Sequence, residues 1–301
     1  MIKSLEQLVD TVRAANRRYR IAVAWAQDIN TLGAVYRAVK EGFVEAILVG
    51  NPASISEVCT QLGIDVSLFT LSEAADQQQA AYMAVDMLRS DRADILMKGL
   101  VGTDVFLKSV LDKEKGIMKP GAVLSYVCAV DIPAYNKLLF ITDTAVLPFP
   151  DLNQKKEMAN YAISMANKFG ITKPKLALIG ASEKLSKHFP SSTEYPELIR
   201  MAKEGEILDC IIDGPLDIFL ACDPEACEIK GVDTPVGGEA DILLFPSLES
   251  CNPFYKGLMQ FAGGELAGLL TGTSHPVVLM SRSESEKSKF YCIALSCLMA
   301  G

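Results

Sequence analysis

Residues 276–289, PVVLMSRSESEKSK, carry an apolar run onto Ser281 and Arg282 and then pass at once into serines and charges. A hydroxyl beside a guanidinium at the carboxyl end of a buried strand suits acyl and phosphoryl chemistry. The hydroxyl can donate to a developing oxyanion, and the guanidinium offers a fork of N–H groups to two anionic oxygens. Ser281-x-x-Glu284 and Ser283-x-x-Glu286 also have capping-box spacing, so a well-capped helix by itself accounts for the serines and glutamates. It does not account for Arg282, a cation placed where the helix dipole disfavours positive charge. An anion bound there would turn that misfit into a complement.

Two other stretches have the same form. In MKGLVGTDVFLKSVL, 97–111, an apolar run stops at Lys98-Gly99 and a helix follows a loop carrying Thr103, with Lys108 further along. Free N–H groups at the helix start and a lysine at the strand end would suit a phosphate; a tight turn with Thr103 as an ordinary N-cap would produce the same pattern. In DILLFPSLESCNPFYKGL, 241–258, a strand stops at Pro246-Ser247, and Asn252 is a candidate cap for a helix showing Tyr255 and Lys256 in its first turn. Taken singly, Tyr255 reads as core and Lys256 as a solvated cation. Strand ends of one style in several places point to a shared cleft.

The elements that would position these residues alternate. RIAVAWA, VEAILVG, DVSLFTL and ADILMKG are continuous apolar runs separated by amphipathic helices, the pattern of parallel strands covered on both faces. AVLSYVCAV and KLLFITD are joined by IPAYN, too short for a crossover helix, so an antiparallel hairpin is predicted there. Helix and strand pairs resume through KLALIGA, LDCIIDG and ADILLFPS, and the chain ends in two strands and an apolar helix. This is an α/β layout of two domains.

Charge and composition exclude several classes of function. A net charge of -8 repels polyanions, so nucleic acid is not an expected partner. The eight cysteines show no C-x-x-C spacing and sit among apolar residues, as in a protein of a reducing compartment, and a cytoplasmic location is expected. The two histidines have no metal-ligand spacing, so no metal is expected. No apolar run reaches the length of a membrane span, and the N-terminus reads as an amphipathic helix and not as a signal peptide or anchor. Walker A, nucleophile-elbow and dinucleotide-binding glycine motifs are absent.

Together, KGLVGT with VLDKEKG, TDTAVLPFPDL at 142–152, IIDGPL at 211–216, EADILLFPSLESCNPFYK at 239–256 and PVVLMSR before an apolar helix resemble the phosphate acetyl/butyryl transferases, with the butyryltransferase branch nearest. The resemblance spans nearly the whole chain. It implies an isopropylmalate dehydrogenase-like α/β fold with an interdomain cleft: a discontinuous first domain of 1–122 and 268–301, and a second of 123–267. A homodimer is also implied. The implied reaction is reversible acyl transfer between coenzyme A and inorganic phosphate, with coenzyme A as substrate and no intrinsic cofactor. Ser281 would then stabilise the oxyanion and Arg282 the phosphate. Lys98, Gly99, Thr103, Lys108, Asn252, Tyr255 and Lys256 would bind substrate.

Acetyltransferase members carry an Asp seven positions after the serine as thiol-proton acceptor. Here that position is Ser288; either Glu284 or Glu286 takes the role, with Glu284 preferred, or the thiolate forms without a dedicated base. Lys108 stands where the family often has Arg, and Cys251 where it commonly has Gly. Two alternatives stay open: a relative that binds acyl-CoA or phosphate without turnover, and an NAD-dependent decarboxylating dehydrogenase of the same fold.

Overall fold

The computed structural model of the chain describes residues 1–281 and 284–301. Two compact units are present, one formed by Leu5–Ala122 and Ala267–Gly301, the other by Met1–Ser4 and Val123–Leu266.

The first unit begins with α1 (Leu5–Ala14), β1 (Tyr19–Ala24), α2 (Ile29–Lys40), β2 (Val44–Gly50), α3 (Pro52–Gln61), β3 (Thr70–Glu73), α4 (Gln77–Arg89), β4 (Ile95–Lys98) and α5 (Thr103–Leu111). Its strands lie in the order β3-β2-β1-β4, all parallel. Residues of β4 are buried throughout, as expected for a central strand with helices on both faces. Side-chain caps set the helix starts. Asp28 accepts from the Thr31 amide at 2.9 Å, and Asp76 accepts from the Gln79 amide at 2.8 Å.

The second unit contains β5 (Ser125–Asp131), β6 (Leu139–Thr142), α6 (Leu152–Lys168), β7 (Lys175–Ile179), α7 (Pro190–Lys203), β8 (Ile211–Leu216), α8 (Ile218–Cys222), α9 (Pro224–Lys230), β9 (Ile242–Leu244) and α10 (Leu248–Phe261). The order is β5-β6-β9-β7-β8. β5 and β6 form the antiparallel hairpin that the short connection requires, with Val127 opposite Thr142, while the remaining pairs are parallel. A capping box at Asp151 and Gln154 starts α6.

The chain then enters β10 (Glu265–Thr271), β11 (Val277–Val278) and α11 (Glu286–Ala300). β11 pairs antiparallel with β10 and parallel with β4. Every residue from Ser288 to Cys297 of α11 is buried, against α1 and α2 among other elements. A helix apolar on all sides belongs inside a core. Phe290, in the second turn of α11, lies 5.8 Å from the Phe43 ring and under the Arg37 guanidinium at 3.9 Å. The architecture is α/β with mixed strand pairing. Among the described residues no helix is long and apolar enough to cross a membrane.

Candidate active site

Three chain exits meet at the carboxyl edge of the first unit's strands. β11 runs parallel to β4 with Val277 opposite Leu96 and Val278 opposite Met97. Lys98-Gly99 and Leu279–Ser281 therefore leave the sheet side by side. Leu279 and Met280 are buried and Ser281 is exposed, so the hydroxyl emerges where the packed edge meets solvent. On the other side of β4, β1 exits through Trp25. Gly99 donates to the Ala24 carbonyl at 2.9 Å and Leu100 to the Trp25 carbonyl at 2.8 Å. A Cβ on Gly99 would stand 2.5 Å from the Trp25 carbonyl oxygen, so the glycine is required by close backbone approach.

Lys98 is buried, and its ammonium donates to the Gly99 carbonyl at 3.4 Å. Thr103 is the first residue of α5 and not its cap. The N-cap is Gly102, which makes no side-chain cap bond and whose amide donates to Gln77 Oε1 at 3.0 Å. Thr103 and Lys108 are both exposed, but five residues place them roughly 140° apart around the helix. The structure thus gathers Lys98, Gly99 and Ser281 on one edge and sets Lys108 on another face of α5.

The start of α11 differs from the expected capping boxes. Ser285 is the N-cap, accepting from the Ser288 amide at 3.0 Å and bonding the Ser288 hydroxyl at 3.1 Å. The Ser281 carbonyl accepts from the Glu284 amide at 3.3 Å. Glu284 is half-buried. Arg282, the sequence's guanidinium candidate, lies outside the described residues, as does Ser283.

Sequence reasoning did not single out Lys289. It is 2% exposed, in the first turn of α11, with its Nζ 3.6 Å from Asp28 Oδ2 and without a hydrogen bond. A lysine interrupting an apolar helix next to its cap was the available signal. Beneath it, Cys292 accepts from the Gly268 amide at 3.2 Å and contacts Met280 Sδ at 3.5 Å. Burial pushes that thiol up to about 12.

In the second unit, α10 starts five residues earlier than the sequence suggested, with Ser247 as N-cap. Asn252 is inside the helix and ties it to the loop after β6, donating to the Thr144 carbonyl at 2.8 Å. Asn252, Tyr255 and Lys256 share one helical face, with Lys256 exposed. Cys251, in the place of a family glycine, is buried within α10, and burial holds its thiol well above the usual range. The loop after β6 is organised by Asp143. Its carboxylate accepts from Ser125 Oγ and from the amides of Tyr126, Ala145 and Val146, at 2.8 to 3.1 Å. Burial raises its pKa despite these four donors.

A family profile described as phosphate acetyl/butaryl transferase matches residues 70–297. The chain belongs to this family. It is 39% identical to the phosphate butyryltransferase of Clostridium acetobutylicum, over 100% of this chain and 99% of that protein. It is 35% identical to the phosphate acetyltransferase of Thermotoga maritima, over 98% of this chain and 99% of that protein. Among solved structures, a branched-chain phosphotransacylase from Enterococcus faecalis V583 superposes with a TM-score of 0.82 at 29% identity, covering 94% of this chain and 99% of that one.

Proposed function

We propose that the chain moves a short-chain acyl group, butyryl by preference, between coenzyme A and inorganic phosphate, acyl-CoA + phosphate giving acyl phosphate + CoA. The observation that carries this reading is the full-length similarity, at 39% identity, to a phosphate butyryltransferase. In the direction of acyl phosphate synthesis a phosphate oxygen attacks the thioester carbonyl. A C–O bond forms, the C–S bond breaks, and the thiolate leaves to be protonated. The reverse direction needs the thiol proton removed.

Each group has a role in that step. Ser281, exposed at the strand exit, donates its hydroxyl to the oxyanion. Arg282 holds the phosphate through paired N–H groups. Glu284, three residues after Ser281 in sequence, exchanges the proton with the thiol. Lys98, Gly99, Thr103 and Lys108 of the first unit and Asn252, Tyr255 and Lys256 of the second bind substrate. Coenzyme A enters as a substrate, and the chemistry as written needs no further cofactor. A homodimer in the cytoplasm, with the two domains in an isopropylmalate dehydrogenase-like fold, belongs to the same proposal.

A second reading, ligand binding without turnover, is favoured by one observation. Ser288 is buried and bonded to Ser285, so no carboxylate stands seven positions after Ser281. Mixing the protein with phosphate and acyl-CoAs of two to six carbons, and following free thiol, decides between them. Release fastest with four carbons supports the acyltransferase; coenzyme A binding with no release from any of them supports the second reading.

A further inference from the structure

Trp25, the one tryptophan of the chain, is the residue through which β1 leaves the sheet, on the edge that also carries Lys98, Gly99 and Ser281. Its backbone conformation is unusual for its type. Among the described residues other than glycine, only Asn16, Trp25 and Asp91 have positive φ. Asn and Asp tolerate the left-handed region; a tryptophan at φ 57° adopts it only where its surroundings hold it there. They do so from both sides. The Trp25 carbonyl accepts from the Leu100 amide at 2.8 Å, and the Ala26 amide donates to the Val49 carbonyl at 3.1 Å, so the main chain at this exit is fixed against β2 and the chain leaving β4.

The side chain is half-buried, and among the described residues its indole has no hydrogen bond, no ring contact and no cation over it. β1, β4 and β11 are neighbours in that order, so the exits at Trp25 and Ser281 are two strand spacings apart, about 10 Å. Between them is Gly99, which has no side chain and, pressed against the Trp25 carbonyl, has no room for one. In the acyltransferase reading the thioester carbonyl lies against the Ser281 hydroxyl. A short alkyl chain leading from it across Gly99 comes next to Trp25. A phosphate gains little from a neutral indole, whereas an alkyl chain gains by burying its methylenes against the ring.

We infer that Trp25 is the wall against which the acyl chain ends, and that it sets the upper limit of chain length. The inference rests on the acyltransferase reading, which places an acyl carbonyl at Ser281; it adds the residue that chooses among acyl groups. Acetyl is too short to reach the ring, butyryl meets it, and longer chains collide with it.

The test uses two measurements on the full chain. The first is kcat/KM for acetyl-, butyryl- and hexanoyl-CoA with phosphate, in wild type, Trp25→Gly and Trp25→Phe. Glycine suits the positive φ and removes the ring, phenylalanine keeps a smaller ring, and thermal melting confirms that each variant is folded. Trp25→Gly should raise the ratio of hexanoyl-CoA to butyryl-CoA by about tenfold or more, as for methylenes admitted to an apolar pocket, and leave acetyl-CoA nearly unchanged. Trp25→Phe should fall between. The second is the fluorescence of wild type, whose one tryptophan reports on this place alone. Without phosphate, so that no transfer occurs, butyryl-CoA should shift the emission to shorter wavelength and coenzyme A should not. Thiol release with the same hexanoyl to butyryl ratio in wild type and Trp25→Gly upholds the acyltransferase reading and overturns the role of Trp25. If no acyl-CoA releases thiol but butyryl-CoA alone shifts the emission, the acyltransferase reading fails and the role of Trp25 as the acyl wall holds. An emission that answers butyryl-CoA and coenzyme A alike overturns that role.

Discussion

The Lys289 ammonium lies 3.6 Å from the Asp28 carboxylate, joining the first turn of the C-terminal helix to the N-cap of α2. Lys289 is almost fully buried, whereas the Asp28 side chain keeps 18% of its exposure and also caps α2. The two partners should therefore respond unequally to mutation. Asp28→Asn leaves a buried ammonium with no ion-pair partner among the described residues, a change that costs about 3–5 kcal/mol in comparable buried pairs. Lys289→Met keeps the packed stem and leaves a carboxylate that water and the cap still solvate, at roughly 1 kcal/mol. Thermal melts of the two variants should show the larger drop for Asp28→Asn.

Gly99 and Gly102 share one loop but differ in what surrounds them. A methyl on Gly99 would meet backbone oxygens of Trp25 and Ala24 at 2.5 and 2.7 Å, which cannot move without breaking the contact between strand exits. A methyl on Gly102 would meet the Asp104 side chain at 2.8 Å, which can rotate away. Gly99→Ala should lower stability by about 3 kcal/mol or more and Gly102→Ala by about 1 kcal/mol or less. Differential scanning fluorimetry of the pair, referred to wild type, measures this.

Alkaline pH should destabilise the fold through its buried and half-buried thiols. Burial pushes Cys292 up to about 12 and Cys222 up to about 11, above an unfolded value of about 8.5. The unfolded chain loses these protons first as pH rises, so it binds fewer protons than the native state and stability falls. The loss begins near pH 8.5 and continues until the folded-state values are passed. Melting temperatures under reducing conditions should decline from about pH 8 to about pH 10.5, and Cys292→Ala should show a shallower decline. The same protonation makes the native thiols slow toward a disulfide reagent near pH 8, so thiol released from coenzyme A should stand above the background.

Most of the sheet was legible because parallel strands leave apolar runs and the hairpin leaves too short a connection for anything else. Helix starts were less so. SRSESEKS offers three overlapping serines with a polar residue three positions on. The cap that forms is Ser285. Asn252 looked like a cap for a helix showing Tyr255 and Lys256 in its first turn, yet Ser247 starts the helix and Asn252 and Pro253 are carried inside. Thr103 lost its capping role to Gly102, whose amide is already satisfied by Gln77 from a different helix. The contact of Lys289 with Asp28 joins segments far apart in sequence, so only the lysine interrupting an apolar helix was visible and not its partner.

The proposed chemistry turns on the exposed Ser281 hydroxyl at the strand exit, which stabilises the oxyanion of acyl transfer. Steady-state thiol release from butyryl-CoA and phosphate, wild type against Ser281→Ala, is the sharpest check. Removing the hydroxyl should lower kcat by about 10²–10³, as for loss of one oxyanion donor, with KM nearly unchanged and the melting temperature intact. A Ser281→Ala protein that turns over at the wild-type rate would contradict this role.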